Sequence, residues 1–216
     1  MDEEIKAATQ AGYDAVAEEY AARFFDELAA KPLDRALLDC LIELTRGVGA
    51  IADIGCGPGQ IARYLADHGA EAMGVDLSPE MVRLAQRLSP DIPFRVGDML
   101  ALDLGANSLG GIAAFYSVIH APSDQIPQVM REFYRVLRLG GLALLAFHIG
   151  DEVVHRDEWW EKPVSLDFHF YQPKTLARHL EEAGFRIEAK IERAPYVGSV
   201  EHPSQRGYLL ARKPTG

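Results

Sequence analysis

The stretch "IADIGCGPGQIARYL", residues 51–65, decides the fold. Its opening IADI reads as a buried strand and its closing IARYL as the start of a helix, with Gly55, Gly57 and Gly59 between them. A strand passing through a glycine turn into a helix is the first unit of an open parallel sheet. In such sheets a ligand lies beyond the carboxyl ends of the strands, where glycine lets the backbone approach it. The spacing is G-x-G-x-G, with Gln60 where the dinucleotide fingerprint would have its third glycine, which conflicts with a nicotinamide-dependent oxidoreductase. Asp53, just before the turn, suits a cationic ligand better than a pyrophosphate.

Outward from this turn, strands and helices alternate. "AEAMGVDLS" reads as a second strand ending at Asp76, and the helix after it is well bounded: Ser78 is a suitable N-cap, Pro79 an N1 proline, and Met81, Leu84, Ala85 and Leu88 form its apolar stripe. "PFRVGDM", "GIAAFYSVIH" and "GLALLAFHIG" read as the third, fourth and fifth strands, the last following a Gly140-Gly141 turn after a helix from Ile126 to Leu137. Upstream, helical spacing runs from Tyr13 to Leu28 and again from Leu33 to Leu44. Downstream, Pro173 to Ala183 is a helix, and "FRIEAKIER" and "GYLLARK" follow one another as an antiparallel pair across a turn containing Pro and Gly. The expectation is an α/β Rossmann-like three-layer sandwich, a mostly parallel seven-stranded sheet with the last strand antiparallel. Within one domain, residues 1–47 form an N-terminal helical lid, 48–148 the core, and 171–216 the closing helix and strand pair. Residues 151–170, with Trp159 and Trp160 adjacent, read as an irregular insertion over the strand ends that exposes the Trp pair.

At 216 residues the chain has length for one sizeable core. A formal net charge of −10 with no basic run argues against a nucleic-acid partner. Cys40 and Cys56 form no metal-type pair, which fits a reducing compartment. The opening "MDEEIKAATQ" has no signal-like pattern and no apolar run approaches the ~20 residues of a span, so a cytoplasmic protein without a membrane partner is expected.

Asp76 lies 21 residues beyond Gly55, where a carboxylate can accept both hydroxyls of a ribose, and Asp98 after the third strand is placed to accept from an amino group such as that of adenine. Taken in order, "IADIGCGPGQ", "GVDLSPEMVRLAQ", "FRVGDMLALDL" and "RVLRLGGLALLAF" resemble the successive motifs of class I S-adenosylmethionine-dependent methyltransferases, over about residues 45 to 148. The tail "TLARHLEEAGFRIE" with "GYLLARK" is similar to that family's closing elements. The resemblance implies S-adenosyl-L-methionine as cofactor and S-adenosyl-L-homocysteine as its product. It implies that the glycine turn, with Asp53 and Cys56, packs under the methionine half, that Asp76 holds the ribose, that Leu77 and Met99 sandwich the adenine, and that Asp98 meets its amino group. Met81 and Ser117 join this cofactor set, and "YDAVAEEYAARF" nominates Tyr13 and Tyr20 as lid residues, their other reading being ordinary core contacts.

On the acceptor side, His120 closes "AFYSVIHAP", where this fold presents groups to a substrate, with Tyr116 and Ser117 nearby. A histidine titrating near pH 6.5 suits removal of a proton from a hydroxyl, amine or ring nitrogen as the methyl arrives; alternatively it only caps the strand. His120 is therefore the candidate base and Tyr116 a positioning residue. Tyr20, Phe24, His148, Trp160 and His169 join His120 as candidate acceptor contacts, with core packing the alternative for the aromatic ones. His148, Asp151 and His155 gather nitrogen and oxygen ligands, yet no matching set recurs elsewhere, and no metal is expected. No Asn/Asp-Pro-Pro-Tyr signature of amide or base methylation is present, so a small organic acceptor at O, N or a nucleophilic C is expected. The alternative is a non-catalytic binding or scaffold protein with the same fold; the oligomeric state stays open between monomer and homodimer.

Overall fold

The computed structural model describes residues 3–196 and 201–216. Its centre is a seven-stranded sheet ordered β3-β2-β1-β4-β5-β9-β8. The strands are β1 (Ile51–Ile54), β2 (Ala72–Asp76), β3 (Phe94–Val96), β4 (Leu109–Phe115), β5 (Leu137–His148), β8 (Arg186–Arg193) and β9 (Arg206–Arg212). The first five run parallel, and β9 is antiparallel to both β5 and β8. β1 and β4 are buried along almost their whole length, which is why they read as continuous apolar runs rather than alternating ones.

Helices cover both faces. Helices α5 (Ile126–Val136) and α6 (Pro173–Glu182) bury Phe133, Val136, Leu176 and Leu180 against Ile112, Leu145 and Phe147. On the other face α2 (Pro32–Thr45) and α3 (Gln60–Asp67) bury Leu38, Leu41, Ile61 and Leu65 against Ile51, Leu142 and Leu144. Helix α4 (Pro79–Leu88) starts where the sequence indicates, with Ser78 Oγ accepting the Met81 N–H at 3.1 Å. Helix α1 (Glu3–Phe24) runs over the carboxyl ends of the strands.

Several boundaries differ from the sequence reading. The first helix begins at Glu3 and ends at Phe24, and a separate 3-10 turn covers Glu27–Ala30. β4 stops at Phe115 because Tyr116 takes φ of 55°, and Val118–His120 form a 3-10 turn, so His120 is not a strand residue. β5 begins at Leu137, before the Gly140-Gly141 pair, which it absorbs as an irregularity between the Leu109–Leu137 and Gly111–Leu142 pairings. The turn between β8 and β9 includes positions 197–200, which lie outside the described residues.

The largest correction concerns residues 151–170. They form a regular antiparallel hairpin, β6 (Val153–Trp159) and β7 (Lys162–His169), and not an irregular insertion. Two causes hid it. Its outward positions His155 and Asp157 are charged or ionisable, and its inward row includes Arg156 beside Val154, Leu166 and Phe168, so alternation of apolar and polar is broken. Its turn residues, Trp160 and Glu161, take φ of 51° and 63°, a pair of left-handed conformations that normally calls for Asn-Gly. The Trp pair is half-buried rather than exposed: Trp159 and Trp160 stack at 4.7 Å and Trp160 packs on Phe24 at 6.0 Å.

Candidate functional site

Where β1 and β4 part, the glycine turn opens a cavity of about 420 Å³, roofed by α1 and the β6–β7 hairpin. The three glycines have different reasons. Gly55 has φ of 74°, and a Cβ there would overlap the Ser117 Cβ at the end of β4. Gly59 is closed off by Phe94, whose Cζ would lie 2.8 Å from a Cβ, and it does not line the cavity. Gly57 alone faces open space, with Tyr20 Cε1 the nearest atom to a Cβ at 3.8 Å, so a side chain there would occupy the cavity. The expectation that a ligand accounts for all three is thus corrected: packing explains two of them. Gly55→Ala is expected to cost about 3 kcal/mol of stability through overlap and a disfavoured backbone, read as a lowered urea midpoint.

Two aspartates stand beside this turn. Asp76, at the end of β2, accepts the Gly57 N–H at 2.7 Å and the Ser78 N–H at 2.8 Å. Burial pushes its carboxyl up to about 6, against those backbone donors. Asp53 accepts the Ala62 N–H at 3.1 Å, satisfying the first turn of α3, and burial with Asp76 nearby raises it to about 8. Burial thus favours the protonated form of Asp53, an effect that the charge-based sequence reading does not include. Burial likewise keeps the Cys56 thiol protonated, and it acts as filler beneath the turn. Gln60 Oε1 and Ser117 Oγ line the same wall, buried and without a hydrogen-bond partner among the described residues.

Leu77, Met81 and Met99 also line this half of the cavity. So does Asp98, but its carboxylate is engaged: Oδ1 accepts the Leu100 N–H at 2.9 Å and Oδ2 meets Lys6 Nζ of α1 at 3.0 Å. The Lys6 pair is one of several fastenings of α1. Asp14 accepts from Ser78 Oγ and from the Glu80 N–H, and Glu18 pairs with Arg83 and Arg87.

Another fastening reaches His120, which is 9% exposed. Its Nδ1 faces the Asp167 carbonyl at 3.0 Å, and a carbonyl can only accept, so Nδ1 carries the proton. Nε2 is then the lone-pair nitrogen, and it accepts from the Tyr13 hydroxyl at 2.7 Å. Burial lowers the imidazole to about 4, so it is neutral at ordinary pH.

Beyond His120 the walls are aromatic and ionic. Tyr116, in a backbone conformation rare for a bulky side chain, has Lys31 Nζ at 5.4 Å and the Arg206 guanidinium at 5.3 Å from its ring. His148 Nδ1 accepts from Arg206 Nη1 at 2.9 Å and its ring stacks on Phe170 at 4.8 Å. Tyr20, Phe24 and Trp160 close the cavity near α1. His169 points away from the cavity, stacking on Tyr171 at 6.3 Å. His155 pairs with Asp167 and Asp151 with Gln172, so the three residues weighed as metal ligands have separate partners.

Glu27, Lys31, Arg156, Phe168, Phe170, Glu201, His202 and Arg206 line the cavity too, and sequence reasoning missed them all. Gln60 had a signal, its place directly after the glycine turn. The eight named above lie on or just past the hairpin, around the turn after α1, and at or just before the start of β9, with no motif to mark them.

Residues 51–141 match the family model of a methyltransferase domain. The chain is 32% identical over 158 residues to a 2-methyl-6-phytyl-1,4-hydroquinone methyltransferase of Synechocystis sp., an alignment covering 68% of this chain and 49% of that protein. It is 34% identical over 125 residues to a demethylmenaquinone methyltransferase of Chlorobaculum parvum, covering 57% of this chain and 49% of the other. The chain thus spans about half the length of these curated relatives. Among solved structures, a DhpI–SAH complex superposes with a TM-score of 0.72 at 21% identity, each chain covered over 100% of its length.

Proposed function

Since the chain belongs to the class I S-adenosylmethionine-dependent methyltransferases, we propose that it moves a methyl group from S-adenosylmethionine to a small organic acceptor by in-line displacement. The observation that carries this reading is a single cavity joining the Gly57–Asp76 wall to the Tyr13–His120 pair and on to His148. A non-catalytic binding protein would have a closed acceptor side.

The residues present fit the cofactor. Gly57 leaves the space a Cβ would fill, and Gln60 Oε1 and Ser117 Oγ are buried polar atoms in need of a partner. Asp76 would hold the ribose hydroxyls, Leu77 and Met99 would flank the adenine, and Gln60, Ser117 and Gly57 would take the methionine end. Asp98 would reach the adenine amino group by sharing its carboxylate with Lys6. When bound, S-adenosylmethionine supplies an electrophilic methyl on a sulfonium.

The chain's own work is alignment and proton removal. Helix α1 and the hairpin exclude water, and Tyr13 and Tyr20 hang from α1 into the cavity. The Asp167 carbonyl sets the His120 tautomer, leaving Nε2 as the base. With Tyr13 donating to Nε2, the acceptor's proton reaches His120 either through the Tyr13 hydroxyl or after Tyr13 swings aside.

The test is the thermal shift with S-adenosylhomocysteine, S-adenosylmethionine and NAD in parallel. At about 100 times its dissociation constant a ligand adds about 2.7 kcal/mol of stability. Both sulfur ligands are expected to stabilise the protein and NAD is not; stabilisation by NAD alone would reject the reading. Because the carboxylate form of Asp76 is needed and its value lies at about 6, affinity should fall about tenfold per pH unit below that value. Titration between pH 5 and pH 7.5 checks this slope.

A further inference from the structure

Arg156 is a cation in an apolar place. It sits on the inward row of the hairpin, paired with Leu166 in register and flanked by Val154 and Phe168, and it lines the acceptor end of the cavity. It is half-buried, and no carboxylate pairs with it among the described residues; its recorded contact is with the Trp159 ring at 5.8 Å. The carboxylates at this end are already neutralised. Glu27 holds Lys31 at 2.6 Å, and Glu201 holds Arg193 at 2.5 Å and faces Arg206 Nε at 3.5 Å.

The field at this end is positive. Burial, then Arg206, lowers His148 to about 3, and burial, Arg206 and Arg156 together hold His202 below its ordinary value. Both imidazoles are therefore neutral here. A half-buried guanidinium whose donors meet no carboxylate among the described residues is suited to a ligand that brings the missing charge.

Resting on the methyl-transfer reading above, we propose that the acceptor carries an anionic group, a carboxylate or a phosphate, received by Arg156 at the end of the cavity lined by His148, His202 and Phe170. Arg206, whose two terminal nitrogens are spent on His148, Ser204 and the His202 carbonyl, acts there as a fixed charge. The aromatic walls fit a planar body on that anion.

Benzoate, phenyl phosphate, phenol and benzylammonium are the probes, titrated into the full chain with and without saturating S-adenosylhomocysteine. Benzoate or phenyl phosphate is expected to bind at least tenfold tighter than phenol, and benzylammonium least. Whichever of the two is stronger identifies the anion. Arg156→Gln should erase the preference, and Arg156→Lys should restore most of it, while S-adenosylhomocysteine affinity is retained in both. Equal binding of phenol and the anions, or an anion preference that survives Arg156→Gln, would overturn the proposal. A stacking role on Trp159 alone would shift the melting temperature of both variants without changing the ratio of anion to phenol affinity. Failure of S-adenosylhomocysteine to bind would instead sink the methyl-transfer reading, since the probe ratios are read without it as well.

Discussion

Replacing His120 by alanine is expected to lower the rate of methyl transfer by about 10²–10⁴ while changing S-adenosylhomocysteine affinity little. The reason is chemical. As the methyl arrives, an acceptor hydroxyl or amine becomes strongly acidic, so even a base lowered to about 4 can take the proton. The Asp167 carbonyl holds that base in the tautomer that leaves Nε2 free of hydrogen. At S-adenosylmethionine concentrations that stay saturating as Asp76 protonates, the rate should be flat above pH 5 and fall as His120 protonates near pH 4. Stability has the same sign: the unfolded imidazole, at its ordinary 6.5, binds protons more readily than the buried one. The stabilisation is therefore complete above 6.5 and is lost as pH falls toward 4. Tyr13→Phe separates the two proton routes. A comparable fall in rate makes the hydroxyl a relay, and a retained rate makes it a fastening of α1. An unchanged rate in His120→Ala, measured on the acceptor that the anion probes lead to, would remove His120 from the mechanism.

Asp76→Ala is expected to weaken S-adenosylhomocysteine binding by about 10³-fold, because two charge-assisted hydrogen bonds are lost at roughly 1.5–3 kcal/mol each. The same substitution strips the Gly57 and Ser78 N–H groups of their acceptor, loosening the turn that faces the ligand. Isothermal titration, paired with urea unfolding of the free protein, separates the two effects. A variant that unfolds at lower urea yet binds S-adenosylhomocysteine with wild-type affinity would show that Asp76 only braces the turn. Asp76→Asn removes the charge and keeps one of the two acceptors, leaving either the Gly57 or the Ser78 N–H facing an NH2 group, so its loss should be nearly independent of pH between 5 and 7.5.

The half of the cavity proposed for the cofactor was legible because it is local. Gly57, Asp76, Leu77, Asp98 and Met99 each sit at the end of a strand or within three residues past it, and an open parallel sheet brings all those ends together. In the half proposed for the acceptor, His120, Tyr116, His148, Trp160 and the aromatic candidates on α1 were legible, and all of them line the cavity. Arg156, His202 and Arg206 come from segments that no motif marks and that meet only because the hairpin folds back over the sheet. Charge added a second obstacle: Asp53 and His120 read as ordinary titrating groups until burial is known, and burial moves them in opposite directions, to about 8 and about 4.

By itself, the sequence determined the alternation of strands and helices, the parallel run of the first five sheet strands with an antiparallel close, and the capped start of α4, because strand periodicity, glycine turns and Ser-Pro caps act over a few residues. The tertiary structure alone decided which glycine faces the open cavity and that Tyr13 bonds to His120, 107 residues away. It also decided that Arg156 stands without a counter-ion among the described residues, inside an apolar row. Those facts depend on close packing between distant elements and on the loss of water around them, and neither quantity is written into local spacing.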